Sequence, residues 1–282
     1  MRGLSVAALI CFVAASGVQR AAAQGSKGSP KIDRMYVFGD SYSDIGEGYL
    51  DGNGPTAVAY FAERLGFKLW PSNTPDVGGK SLDYAVSGAK SGAGAGHDEG
   101  GFRLGYGMKN QVDDFAAKVR SGGIKFRPES TLFFIAGGLN DKTEPEGFTV
   151  KNEEGEMRTL YGLGARRFMV ALMPTLIPNF ADVGKRLNPQ LEKIPAEMTA
   201  ELKGARISLS HWGGFFDAVM RDPRKYGITN TTDPCAGREI RNEDTTPCAA
   251  PETYFYFHHS HPSTVTHKAV GGMMYDEVMG AK

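Results

Sequence analysis

The sequence predicts an α/β protein with a largely parallel sheet covered by helices on both faces. Short apolar runs alternate with stretches of helical spacing along nearly the whole chain, the order that βαβ units produce. One run, residues 131–136, "TLFFIA", is continuously apolar, as in a strand buried on both sides. Neither an internal repeat nor a composition break follows residue 32, so residues 33–282 read as one domain.

Each element has its own signal. Residues 35–38, "MYVF", form a short buried strand, and 55–65 have helical spacing with Pro55 near the start. A second strand is expected at 81–86, at the head of a Gly-rich connection over 78–107. Residues 108–119 are amphipathic, with Val112, Phe115, Ala116 and Val119 on one stripe. A helix over 156–166 leads into the strand 168–172, and a helix over 189–203 precedes the strand 205–210. Helices at 213–220 and 265–278 complete the pattern, and the aromatics of 254–257, "YFYF", read as core.

Composition excludes several classes. Thirty-two basic and 32 acidic residues cancel, so no overall field attracts nucleic acid or an anionic membrane. At 41% hydrophobic and 23% charged residues the chain is that of a globular protein. Arg2 followed by the apolar stretch 4–18 and an A-x-A site at Ala21 and Ala23 predicts an export signal over 1–23. Residues 24–32 would be a flexible mature terminus, and no later segment is apolar enough to span a bilayer. Cys11 would leave with the signal. Cys235 and Cys248 would remain and bridge in an oxidising compartment, closing a polar loop with no visible core of its own.

In a parallel sheet the carboxyl ends of the strands lie along one edge, where ligands bind. The first strand ends in Gly39-Asp40-Ser41, the second in a segment with Gly88, and the third in Gly138 and Asn140. His261 stands before Pro262 near the C-terminus. These are the parts acyl transfer needs. A serine hydroxyl is a weak nucleophile until a base takes its proton, and imidazole titrates in the right range. The oxyanion that forms needs donors, which the backbone of Ser41 and Gly88 and the Asn140 amide can supply.

The residues "GDSYSD" (39–44), the isolated Gly88, "GLND" (138–141) and "HHSHPS" (258–263) match, in order, the four blocks of the GDSL-type SGNH hydrolases. "LYGLGARRFMV" (160–170) and "RDPRKYGITNTTDPC" (221–235) also resemble segments of secreted members. The resemblance covers nearly the whole mature chain. It implies a three-layer flavodoxin-like fold, with Ser41 as nucleophile, Gly88 and Asn140 in the oxyanion hole and His261 as base. Asp40 and Asp44 would brace the turn.

One position departs from the family. It usually has Asp three residues before the catalytic His, and here that position is His258. Three explanations compete: a backbone carbonyl orients His261 in a Ser–His dyad; another carboxylate, from the 233–252 loop, fills in; or catalysis is weakened. With a carbonyl orienting His261, a carboxylate restored at 258 would strengthen the site.

Other motifs fail on spacing. "GGKS" (78–81) lacks the first glycine of a phosphate loop, because position 74 is Thr74. In "SGAGAGHDEGG" the glycine required for dinucleotide binding falls on His97. The His258–His261 cluster with His267 has no Cys or carboxylate at metal-ligand spacing, so no cofactor is expected. The sequence thus points to an exported serine esterase or lipase acting on a small-molecule, lipid or acylated-sugar ester. The alternatives are acyl transfer to a sugar or lipid hydroxyl, and a weakened glycan- or lipid-binding protein.

Overall fold

The structure, a computed structural model, describes residues 31–280. The expected export signal and residues 24–30 lie outside the described residues. Ile32, at the end of the expected flexible segment, is buried in the core.

In chain order the elements are β1 (Arg34–Gly39), α1 (Ala57–Leu65), β2 (Leu69–Pro71), β3 (Ser81–Asp83), β4 (Ala95–Glu99) and β5 (Phe102–Tyr106). Then come α2 (Met108–Arg120), β6 (Thr131–Ala136), α3 (Phe148–Gly162), β7 (Arg167–Ala171), α4 (Ala181–Leu191) and α5 (Ile194–Glu201). The chain ends with β8 (Arg206–Ser210), α6 (Trp212–Arg221), β9 (Asn230–Pro234), β10 (Tyr254–His258), β11 (His261–Pro262) and α7 (Thr264–Met279).

Six strands form one sheet in the order β2-β3-β1-β6-β7-β8, and every pairing in it is parallel. Helices flank this sheet: α7 packs on α1 and α6, whereas α3 packs on α2, α4 and α5. Strand β1 is paired on both edges, by β3 and β6, and packed helices and side chains cover both its faces. Met35, Tyr36, Val37 and Phe38 are therefore all buried, and no polar residue alternates with them. Burial of this kind contributes roughly 1.5–3 kcal/mol per large apolar side chain.

The structure departs from the sequence pattern where burial is not apolar. Helix α3 starts at Phe148, eight residues before the expected 156, because its buried face carries Thr149, Glu153 and Glu156 beside Met157 and Leu160. A hydrophobic stripe therefore does not reveal its first two turns. The helix expected at 189–203 is two helices. Pro195, in the first turn of α5, suits a helix start and not a helix interior. The Gly-rich connection is not simply loop: β4 and β5 pair antiparallel, and Glu99 faces Phe102 across a two-residue turn. Gly100 and Gly101 there have φ of 63° and 85°, which a type I′ hairpin requires.

Cys235 and Cys248 are bridged. The loop they close does have an apolar anchor, because Ile240 packs against Tyr49 and Leu104, with Phe102 beside them. The loop is pinned at its base as well: the N–H groups of Cys235 and Ala236 donate to the Phe257 carbonyl at 2.9 Å. Closing a loop of this length contributes about 3 kcal/mol by the chain-entropy model. The double variant Cys235→Ala, Cys248→Ala should unfold in urea with about 2–3 kcal/mol less stability. An unchanged midpoint would mean that Ile240 and the backbone bonds hold the loop by themselves.

Candidate active site

The site begins with a close approach at Gly39. A Cβ there would lie 2.9 Å from the Ala136 carbonyl oxygen and 3.3 Å from Ser43 Oγ. Glycine is thus needed for space between β1 and β6, not for an unusual φ. The same residue is clamped by Gln111 of α2. Gln111 Oε1 accepts the Gly39 N–H at 3.0 Å, and Nε2 donates to the Gly39 carbonyl at 2.9 Å. Nothing in the sequence pattern marks Gln111, which occupies a core position on the apolar stripe.

After Gly39 the chain turns tightly. The Asp40 carbonyl accepts from the N–H groups of Ser43 and Asp44 at 2.9 and 3.0 Å, and its side chain accepts from Tyr42 N–H at 3.1 Å. Asp44 Oδ1 accepts from Gly46 and Gly48, and Oδ2 accepts from Ser87 N–H at 2.8 Å. Both aspartates brace the turn. Asp44 also fixes the residue before Gly88 against the loop that holds Ser41.

Gly88 has φ +78°, a left-handed conformation that favours glycine. Asn140 Nδ2 donates to the Ala89 carbonyl at 2.9 Å, so one amide hydrogen holds the Gly88 segment and the other is free for a ligand. Asp141 supports the same junction, accepting from Ser91 N–H and from Thr149 Oγ1. Because β3, β1 and β6 are parallel neighbours, Gly88, Ser41 and Asn140 follow three adjacent strand ends.

His261 arrives from the other end of the chain. Strands β10 and β11 form a tight antiparallel pair, His258 opposite His261, with Ser260 at φ 62° in the turn. Tyr42 hydroxyl donates to the Ser260 carbonyl at 2.7 Å and ties this turn to the Ser41 loop. His261 Nε2 lies 2.8 Å from Ser41 Oγ, and Nδ1 lies 3.0 Å from the His259 carbonyl. When Nδ1 carries the ring hydrogen and gives it to that carbonyl, the Nε2 lone pair faces the serine hydroxyl. Both residues are about nine-tenths buried, at 8% exposure each.

A charged cluster surrounds the histidine. The His258 side chain does not bond to the His261 ring; its Nδ1 donates to Asp51 Oδ1 at 2.7 Å. The nearby carboxylate is therefore Asp51, from the loop after the Ser41 turn, and not a residue of the 233–252 loop. That loop contributes Arg238 instead. Arg238 Nε donates to Asp51 Oδ1 at 3.2 Å, and Nη2 donates to the His259 carbonyl at 2.9 Å while lying beside His261 Nδ1. Asp51 Oδ2 stands 3.3 Å from His261 Nε2. Burial pushes the Asp51 carboxyl up, but electrostatic attraction to His261, the His258 hydrogen bond and Arg238 outweigh it and hold the group below the usual range. Burial lowers His261 to about 4; Asp51 opposes this and Arg238 adds to it. The ring is therefore neutral at pH 7. No motif links "YLDGNG" or "AGREIR" to a histidine far along the chain, so sequence spacing could not find Asp51 or Arg238.

The remaining histidines have other work. His97 and His211 are exposed and lie beside Glu99 and Glu277. His267 is buried, and its Nδ1 accepts from Ala57 N–H at 3.1 Å. Among the described residues no group of three or more His, Cys, Asp or Glu side chains is placed to hold a metal ion. A cavity of about 380 Å³ opens beside the His258–His261 turn, lined by Pro178, Asn179, Thr232, Pro234, Tyr256, His259 and Ser260. A larger apolar groove, about 930 Å³, lies between Leu50, Tyr60, Phe67 and Trp70 and is lined by none of Ser41, Gly88, Asn140 and His261.

A parallel sheet that presents a buried serine to a histidine from a hairpin near the end of the chain, with glycine and asparagine on the flanking strand ends, defines an α/β protein with a serine–histidine pair at the carboxyl edge of its sheet. The GDSL-like lipase/acylhydrolase family model matches residues 35–272, and the chain belongs to that family. Two GDSL esterase/lipases of Arabidopsis thaliana are 21% and 22% identical to it, over 89% and 90% of this chain and 88% and 85% of their own lengths. Among solved structures it is similar to a member of the lipolytic G-D-S-L family from Veillonella parvula (12% identity, TM-score 0.47, covering 88% of this chain and 99% of that one). An aryl esterase of M. smegmatis gives 12% identity and a TM-score of 0.42 over the same shares.

The bracing residues give a direct test. Asp44→Ala leaves three backbone N–H groups, of Gly46, Gly48 and Ser87, without their acceptor. Those of Gly48 and Ser87 are buried and each costs roughly 1–3 kcal/mol, so a loss of about 2–3 kcal/mol or more is expected in chemical denaturation. A loss under about 1 kcal/mol would show that water replaces the carboxylate and that Asp44 does not hold the Gly88 segment.

Proposed function

We propose that this protein is an exported esterase that hydrolyses carboxylic esters through an acyl-Ser41 intermediate. The observation that carries the reading is the 2.8 Å contact between Ser41 Oγ and His261 Nε2. In the first step Ser41 Oγ bonds to the ester carbonyl carbon and its proton passes to Nε2. The oxyanion is met by the N–H groups of Ser41 and Gly88 and by the free Asn140 amide hydrogen. Collapse expels the alcohol, which takes the proton from His261. Water then repeats the sequence on the acyl-serine and releases the acid. The His259 carbonyl orients the imidazole, so a Ser–His dyad is the basic unit. Export is supported by the Cys235–Cys248 bridge, which persists in oxidising compartments. No helix among the described residues is long and apolar enough to cross a membrane.

Labelling with a fluorophosphonate and turnover of a panel of esters from acetyl to palmitoyl test this reading. Labelling confined to Ser41, with release of free acid, is the expected result. Failure to label would favour a binding protein, and transfer to an added acceptor alcohol in preference to water would favour an acyltransferase. Ser41→Ala should abolish turnover in a folded protein. Asn140→Ala should lower kcat by about 10²–10³ with a smaller change in KM, since the amide acts mainly in the transition state.

The pH dependence has a defined sign. His261 must be neutral to accept a proton, and burial has lowered it to about 4. The acid limb of kcat/KM should therefore fall near pH 4 and not near the usual histidine range of about 6.5. A midpoint at or above about 6.5 would mean that the ring is solvated in solution. For His258→Asp the contact with Asp51 supports an effect opposite to the one suggested by the sequence. Position 258 faces Asp51 as a donor, so a second carboxylate there adds like-charge repulsion. A drop in kcat of about tenfold or more is expected; a rise would mean that residue 258 reaches His261 directly.

A further inference from the structure

The geometry points to Asp51 as the acidic member of the site: a positioning residue whose carboxylate, held by His258 and Arg238, faces His261 Nε2 and stabilises the imidazolium formed when Ser41 gives up its proton. This rests on the Ser41–His261 reading above.

Three observations combine. Asp51 Oδ2 lies 3.3 Å from His261 Nε2, an approach distinct from the ring's hydrogen bonds to Ser41 and the His259 carbonyl. In the neutral ring that contact contributes little. Once the proton has moved from Oγ to Nε2, a full positive charge faces a full negative one in a buried site, where the attraction is strong. Second, the carboxylate is locked. Its side chain is 5% exposed, and Oδ1 accepts from both His258 Nδ1 and Arg238 Nε. Those donors keep it ionised and fix its direction. Third, the family departure at 258 is accounted for. The histidine there does not replace the missing acid but holds a different one, brought in from residue 51.

The proton balance is simple. The Ser41 Oγ–H bond breaks as Oγ–C forms, Nε2 takes the proton, the oxyanion takes the negative charge, and Asp51 stays unprotonated throughout. The charged and titratable groups facing His261 come from every neighbouring element. They are Asp51 from the loop after the Ser41 turn, Arg238 from the disulfide loop, His258 from β10, Tyr42 from the turn and His267 from α7. Asp51 is the carboxylate of this set and Arg238 the fixed cation.

The test is Asp51→Asn in the full chain, read three ways. The kcat for an acetyl ester should fall by about 10²–10⁴ with KM changed less than about fivefold, as when the acidic member of a serine-hydrolase site is lost. The acid limb of kcat/KM should move to lower pH, since a charge that favours imidazolium has gone. The His261 titration followed by NMR should move the same way, and this readout needs no turnover. Arg238→Gln should move both midpoints to higher pH, because a cation beside the ring is removed. Should Asp51→Asn not fold, Asp51→Glu keeps the charge and should retain at least about a tenth of wild-type kcat, where Asp51→Ser does not. A folded Asp51→Asn with kcat within about threefold of wild type and an unmoved His261 titration would overturn the assignment. Wild-type protein without turnover or labelling would instead sink the esterase reading, while the NMR titration would still decide whether Asp51 is coupled to His261.

Discussion

The hydrogen bond between Ser41 Oγ and His261 Nε2 joins residues 220 positions apart, and much of the structure serves to make it. Ser41 is delivered by β1, a strand buried from Met35 to Gly39. His261 is delivered by a short hairpin that the sheet does not contain. The two meet because Tyr42 bonds the Ser260 carbonyl and packs its ring within 5.6 Å of the imidazole, so the residue after Ser41 fixes His261. Long-range contacts of this kind cost loop-closure entropy that the aromatic packing around Tyr42, Phe180, Trp212 and Phe216 offsets.

Burying that pair brings an electrostatic problem. A dry imidazole is a poor base for generating imidazolium, as its depressed proton affinity shows. The structure answers with a counter-charge at Asp51 and then has to neutralise the cost of burying Asp51 itself. His258 and Arg238 do so, and Arg238 depends on the loop closed by Cys235 and Cys248. The disulfide, remote in sequence from Ser41, thus reaches the chemistry through two contacts. Asp44 and Gln111 perform the equivalent service on the nucleophile's side, fixing the Ser41 turn to the Gly88 segment and to α2.

How much of this is legible in the sequence follows from what each residue's signal depends on. β1 and β6 can be read because strands covered on both faces are continuously apolar, and α2 because its stripe of Val112, Phe115 and Ala116 has helical period. The first turns of α3 cannot, because Glu153 and Glu156 are buried where apolar residues would be counted. The β4–β5 hairpin hides in glycine-rich sequence, although Gly100-Gly101 is a hairpin turn signal. In the site, Ser41, Gly88, Asn140 and His261 lie in local motifs at strand ends and can be named beforehand. The departure at 258 is visible as well, but its resolution is not. Asp51 and Arg238 sit in turn-like segments whose relation to His261 exists only in three dimensions.

The central claim is that Ser41 becomes covalently acylated with His261 as its base. Single-turnover reaction with a short acyl ester, quenched in acid and mapped by peptide mass spectrometry, tests this most directly. The account requires the acyl mass on the peptide containing Ser41, and a much slower appearance of that adduct in His261→Ala. An adduct on any other residue, or one that forms at the wild-type rate without His261, would contradict it.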